Sequence, residues 1–183
     1  MKIPGLKFVN NFITKDEEDN LISNIDRNPW LNELKRRVQH YGYKYDYTAR
    51  KIDMSMYVGE LPQWARELIP GIQNQVNSFS PDQLIINEYE PGQGISKHID
   101  CEPCFSNTIV SLSLHSGCEI EFINIKSKDV EKIYLSPRSL LIFSNEARYE
   151  WQHCIRPRKT DLVNNNKIYR TRRISLTFRK VLI

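Results

Sequence analysis

Apolar positions recur along this chain with two different periods. Before about residue 83 they return every three to four residues, and from Leu84 onward they alternate in short runs. Thr14-Lys15-Asp16-Glu17 sets a threonine three residues ahead of a glutamate, just before Leu21, Ile22 and Ile25, so a capping box should open an amphipathic helix. Trp64, Leu68, Ile72, Val76 and Phe79 keep helical spacing, but Pro70 interrupts them, and two short helices or one kinked helix fit 62–79. The runs 84–89, 95–100, 108–114, 119–125, 130–135, 139–144, 151–155 and 173–181 have strand character, with turn signals between them such as Pro91-Gly92-Gln93-Gly94 and Ser116-Gly117. Short strands in this number suit a sandwich or jelly roll, making the fold mainly β. The polar stretch 156–169, with Pro157 and Asn164-Asn165-Asn166, reads as an exposed loop.

Composition narrows the class. With 183 residues, 40% hydrophobic and 26% charged, the chain has room for one core, and no repeat or boundary divides it, so a single domain over 1–183 is expected. No stretch approaches about 18 uninterrupted apolar residues, and 1–11 lacks the order of a secretory signal. A soluble intracellular monomer with no membrane partner is expected, in cytoplasm or nucleus. A net charge of +4 is too small to establish a nucleic-acid partner, although it allows a local basic face. Reduced thiols are the default for Cys101, Cys104, Cys118 and Cys154, as small buried hydrophobes. Cys101-x-x-Cys104 and His115-x-x-Cys118 also have zinc spacing, which keeps open a non-catalytic, zinc-stapled nucleic-acid-binding module.

The β half carries the chemistry. Alternation in His98-Ile99-Asp100 sends an imidazole and a carboxylate to one face, where one metal ion could bind both. His153, in another strand, is the best-placed third ligand, and two histidines with one carboxylate leave open positions on six-coordinate Fe(II). A histidine beside an aspartate is equally a commonplace of surfaces. In the last strand run, Arg173, Ser175, Thr177 and Arg179 share one face while Ile174, Leu176 and Phe178 share the other. If the arginine face lines a cavity, its guanidinium groups need an anion such as a dicarboxylate; if it faces solvent, water satisfies them.

In order, Asn87-Glu88-Tyr89, Pro91-Gly92-Gln93-Gly94, His98-Ile99-Asp100, His153 and the segment from Arg173 to Arg179 resemble the motifs of the AlkB family of Fe(II)- and 2-oxoglutarate-dependent dioxygenases. Ile109-Val110-Ser111-Leu112-Ser113-Leu114 and Pro137-Arg138-Ser139-Leu140-Leu141 look most like the branch that contains the tRNA wobble-uridine hydroxylases. The resemblance implies a double-stranded β-helix (jelly-roll) core over 84–183, preceded over 1–83 by helices and a nucleotide-recognition lid. It implies His98, Asp100 and His153 as ligands of Fe(II), and Arg173 as partner of the distal carboxylate of 2-oxoglutarate. By the same resemblance Asn87 and Tyr89 donate to the co-substrate, Arg179 closes the site near Asp100, and Thr177 lies on the inward face. Ser175 stands where repair-type members usually have Asn. The implied reaction consumes dioxygen and 2-oxoglutarate, releases succinate and carbon dioxide, and hydroxylates a C–H bond; an N-methyl group so hydroxylated leaves as formaldehyde.

Substrate residues are less sharply marked. Lys35-Arg36-Arg37 leads into Tyr41, Tyr43, Tyr45 and Tyr47, which share a face if the segment is extended, with Arg50 beyond. Tyrosines beside cations such as Arg36, Arg37, Lys44 and Arg50 suit bases and phosphates of nucleic acid, and equally suit a face packed on the core. Glu102 falls where repair-type AlkB enzymes resemble one another in carrying an acid near the flipped base, which favours a cationic methylated base and DNA repair. Oxidative demethylation of N-alkylated bases therefore stands slightly ahead of tRNA wobble-uridine hydroxylation.

Overall fold

A computed structural model describes residues 2–183. Its chain order is β1 (Leu6–Val9), α1 (Lys15–Asp26), β2 (Arg37–Tyr43), β3 (Tyr57–Gly59), α2 (Gln63–Arg66), α3 (Ile69–Gln73), β4 (Gln83–Tyr89), β5 (Ile95–His98), β6 (Phe105–Leu114), β7 (Cys118–Asn124), β8 (Val130–Leu135), β9 (Leu140–Phe143), α4 (Asn145–Tyr149), β10 (Trp151–Ile155), β11 (Thr160–Val163), β12 (Asn166–Tyr169) and β13 (Arg173–Val181). Thr14 caps α1 with the expected reciprocal bonds to Glu17, and Pro70 divides the second helical run into α2 and α3.

The strands form an antiparallel sandwich. A large sheet has the order β1-β9-β6-β13-β4-β2-β3, and a small sheet has the order β5-β10-β7-β8. In the large sheet, Leu84 and Ile86 of β4, Val110 and Leu112 of β6, and Ile174, Leu176 and Phe178 of β13 pack beneath Leu21 and Ile25 of α1 and Ile72 of α3. The opposite parity turns toward the small sheet, where Phe105, Ile109, Phe122, Leu135 and Phe143 form a second apolar cluster. Period two thus gives each central strand one helix-covered face and one face for the interior of the sandwich.

Three expectations need correction. The segment 1–83, expected as helices and a lid, also contributes β1, β2 and β3 to the large sheet. The stretch 156–169 contains the β11–β12 hairpin, whose tip residues Asn164 and Asn165 have φ of 50° and 63°, the left-handed pair that a tight two-residue turn requires. Cys101 and Cys104 are joined as a disulfide rather than left as thiols, while Cys118 and Cys154 are free and buried. No helix among the described residues is long and apolar enough to cross a membrane.

Candidate active site

Between the sheets lies a cavity of about 340 Å³. Its floor on the large sheet is the inward parity of β4 and β13: Asn87 and Tyr89, then Arg173, Ser175, Thr177 and Arg179. The small sheet contributes His98 and His153, with Asp100 just past the end of β5. Antiparallel pairing sets His153 directly opposite His98, so the ladder itself brings the two imidazoles together across 55 residues of chain. The ring centroids lie 4.3 Å apart, and His153 Nε2 lies 3.8 Å from Asp100 Oδ2. One donor atom from each of His98, Asp100 and His153 fits within 4.8 Å of the others.

The protonation states suit a cation. His98 Nδ1 is 2.7 Å from the Ser96 carbonyl, which needs an N–H there and makes Nε2 the ring nitrogen available to a metal. Burial and the neighbouring His98 push His153 down to about 3, although Asp100 opposes them, so its imidazole is neutral. Burial would raise the Asp100 carboxyl, but Arg179, His153 and His98 outweigh it and hold it well below the usual range. Arg179 Nη2 donates to Asp100 Oδ1 at 2.5 Å, whereas buried Oδ2 has no hydrogen-bond partner. Two imidazoles and a carboxylate with an unanswered oxygen are a donor set for a divalent metal such as Fe(II).

The other end of the cavity suits an anion. Arg173 is 4% exposed; its Nη2 donates to Ser113 Oγ at 2.8 Å and its guanidinium lies 5.4 Å from the Tyr89 ring centroid. Its Nε and Nη1 are buried without partners. A buried cation with unpartnered donors is costly to leave so, and a carboxylate ligand supplies both the missing charge and an acceptor. Asn87 accepts from Arg36 Nε at 2.7 Å through Oδ1 and keeps its amide nitrogen for another acceptor. Ser175 Oγ pairs with Ser111 Oγ at 3.0 Å.

The four residues expected at the substrate do not line this cavity. Gly42, at φ +76°, breaks the parity of β2, since a Cβ there would fall 1.8 Å from the Asp82 carbonyl oxygen, and the register shifts between Gly42 and Tyr43. Tyr41 therefore packs edge-on against Trp64 on the helix side, and Tyr43 stacks near Tyr57. Arg37 points outward and is bidentate to Glu88. Glu102 is exposed and stands off the cavity wall. At the mouth stand Arg36, Tyr45, Tyr47 and Arg50 instead. Tyr45 and Tyr47 were visible in the tyrosine run; the bulge that selects them over their neighbours was not. The cysteine-histidine set for zinc is not assembled: among the described residues only His98, Asp100 and His153 gather as metal donors.

With this geometry in hand, known proteins supply a frame. A family model described as the 2OG-Fe(II) oxygenase superfamily matches residues 26–179. The chain is 39% identical to the Alkylated DNA repair protein ALKBH8 homolog of Arabidopsis thaliana, over 99% of this chain and 59% of that protein. It is 36% identical to the tRNA (carboxymethyluridine(34)-5-O)-methyltransferase alkbh8 of Xenopus tropicalis, over 97% of this chain and 32% of that one. The chain thus spans between a third and three fifths of these two relatives' lengths. The solved structure of OsALKBH1 shares its fold, with a TM-score of 0.73 at 17% identity over 97% of both chains.

Proposed function

Since the chain belongs to the AlkB family of the 2OG-Fe(II) oxygenase superfamily, and so is an Fe(II)- and 2-oxoglutarate-dependent oxygenase, we propose that it hydroxylates a modified wobble uridine of tRNA. The observation that carries this choice is the charge lining the cavity. Asp100 is its sole acidic side chain among the described residues, and that carboxylate belongs to the metal set, whereas Arg36, Arg50, Arg173 and Arg179 all line it. A base made cationic by N-methylation gains no counter-charge there and meets cations at the mouth; a uridine with a neutral or anionic substituent does not. Glu102 is exposed and outside the cavity lining, so it offers a cationic base no counter-charge there. The name of the Xenopus relative, which concerns carboxymethyluridine 34 of tRNA, lends support to the uridine reading.

Bound Fe(II) and 2-oxoglutarate supply the oxidising chemistry, in which dioxygen is consumed, succinate and carbon dioxide are released, and a C–H bond gains an oxygen atom. The chain's own part is to bind and orient. His98, Asp100 and His153 present one donor atom each on one side of the cavity and would hold the metal. Arg173 is assigned the distal carboxylate of the co-substrate, with Asn87 and Tyr89 alongside as donors and Ser175 and Thr177 on the same wall. Arg179, bonded to Asp100 Oδ1, fixes the carboxylate so that Oδ2 faces the metal position. Tyr45 and Tyr47 offer ring faces for a base at the mouth, and Arg36 and Arg50 offer charge to its phosphates. We assign all of these roles to one catalytic domain spanning 1–183.

Mass spectrometry of nucleosides after incubation with Fe(II) and 2-oxoglutarate tests the proposal. On tRNA carrying a modified wobble uridine, the expected product gains one oxygen with no formaldehyde released. Formaldehyde and methyl loss from 1-methyladenine or 3-methylcytosine oligonucleotides, with the uridine unchanged, would reverse the assignment in favour of demethylation.

A further inference from the structure

Asp100 is the metal ligand that the sheet does not hold. His98 and His153 are ladder partners, but β5 ends at His98, so neither residue 99 nor residue 100 lies in a strand. Two devices hold the backbone beyond the strand: the Cys101–Cys104 disulfide, whose Cys104 N–H also donates to the Cys101 carbonyl at 3.3 Å, and Arg148 of α4, whose Nη1 donates to the Asp100 carbonyl at 3.0 Å and whose Nη2 donates to the Cys101 carbonyl at 3.1 Å. Arg148 is 1% exposed and is the largest of the fully buried side chains. Its guanidinium lies 4.9 Å from the Tyr149 ring centroid, and its Nε has no partner. Burying a cation on two neutral carbonyls is an expensive way to fill a core position that an apolar side chain could fill. A planar fork aimed at two successive carbonyls is, by contrast, a rigid clamp on two successive peptide units.

We propose that Arg148 is a positioning residue for the metal site, holding the backbone at Asp100–Cys101 so that the Asp100 carboxylate faces His98 and His153. Position along the chain supports the assignment. α4 runs directly into β10, which carries His153 five residues after Arg148, so one short stretch presents the third metal ligand and grips the backbone of the second. Arg179 orients the Asp100 side chain from β13, and Arg148 fixes the main chain from which it hangs. The inference rests on the metal triad and not on the choice of nucleic-acid substrate.

Co(II) titration of the protein without nucleic acid tests it, read by the visible absorption of the bound ion. Arg148→Met is expected to weaken Co(II) binding about 10–100-fold, as loss of a group that orients a metal ligand commonly does, and to change the band shape. Arg148→Lys keeps the charge and one donor and is expected to recover part of the affinity. Leu112→Ala, destabilising but far from the clamp in role, should lower the melting temperature and leave the Co(II) constant near the parent's. Parental affinity and spectrum in folded Arg148→Met would overturn the proposal. If that variant fails to fold, Arg148→Lys decides: weakened binding supports the clamp, and unchanged binding overturns it. Failure of both to fold would make Arg148 a general core residue and overturn it as well.

Discussion

A guanidinium buried with two unpartnered nitrogens gives Arg173 a sharp expectation. Truncating it to alanine should cost about 2–5 kcal/mol of 2-oxoglutarate binding, because a desolvated charge pair is lost, while Co(II) binding at the triad persists. Isothermal titration with each ligand separates the two; unchanged co-substrate affinity would place the dicarboxylate elsewhere. His40 gives a second residue-level expectation. Burial, the dominant influence on it, depresses its pKa to about 4 in the fold, and both ring nitrogens lack partners. The unfolded chain takes up that proton near pH 6.5. The folded state therefore holds its full stability above about pH 6.5 and loses the His40 share as pH falls from there through about 4. Urea midpoints across that window should decline less in His40→Phe than in the parent, and parallel curves would count against the assignment.

Among the elements, α1 and the β11–β12 hairpin were unequally legible in the sequence, for a physical reason. A capping box is a local pattern, and Thr14 with Glu17 announces the helix start without help from the rest of the chain. Thr14→Ala should cost about 1 kcal/mol, visible as a shift in the urea midpoint with little change in slope. The hairpin's turn is local too, but three successive asparagines signal a loop as readily as a type I′ turn, and only pairing such as Asp161 with Ile168 distinguishes them. Asp161 gives the hairpin its anchor: it is buried, accepts from Arg170 at 2.6 and 2.7 Å, and also accepts from Arg158. The alternation of β13 was fully readable because its polar and apolar sets separate cleanly. That of β2 was not, since one glycine bulge exchanges the faces after Tyr41.

At the scale of the molecule, the sandwich and the metal triad could be inferred from pattern, whereas the identity of the rim could not, because the rim is composed by register and by loops crossing the mouth. That distinction makes two arginines of the segment 36–50 behave differently. Arg50 is exposed at the mouth, and Arg37 is committed to Glu88, which also binds Arg172. If tRNA meets the mouth, its affinity should fall linearly with log salt concentration, and Arg50→Ala should lower the slope by about 0.7–0.9, one phosphate's share. Arg37→Ala should instead lower thermal stability and leave the slope nearly unchanged. The reverse pattern, read by filter binding across a salt series, would move the nucleic-acid path to the outer face of β2.

The pairing of His98 with His153 also bears on how the protein is made. A ribosome extends the chain from its amino end at about 5–20 residues per second, so several seconds separate the synthesis of Asp100 from that of His153. During that interval the nascent chain owns two of three metal donors, and β5, which carries His98, still lacks its ladder partner β10. Arg173, with its two unpartnered nitrogens, follows later still. The full donor triad and the buried guanidinium are thus properties of the finished sandwich, assembled only once its last strands are made.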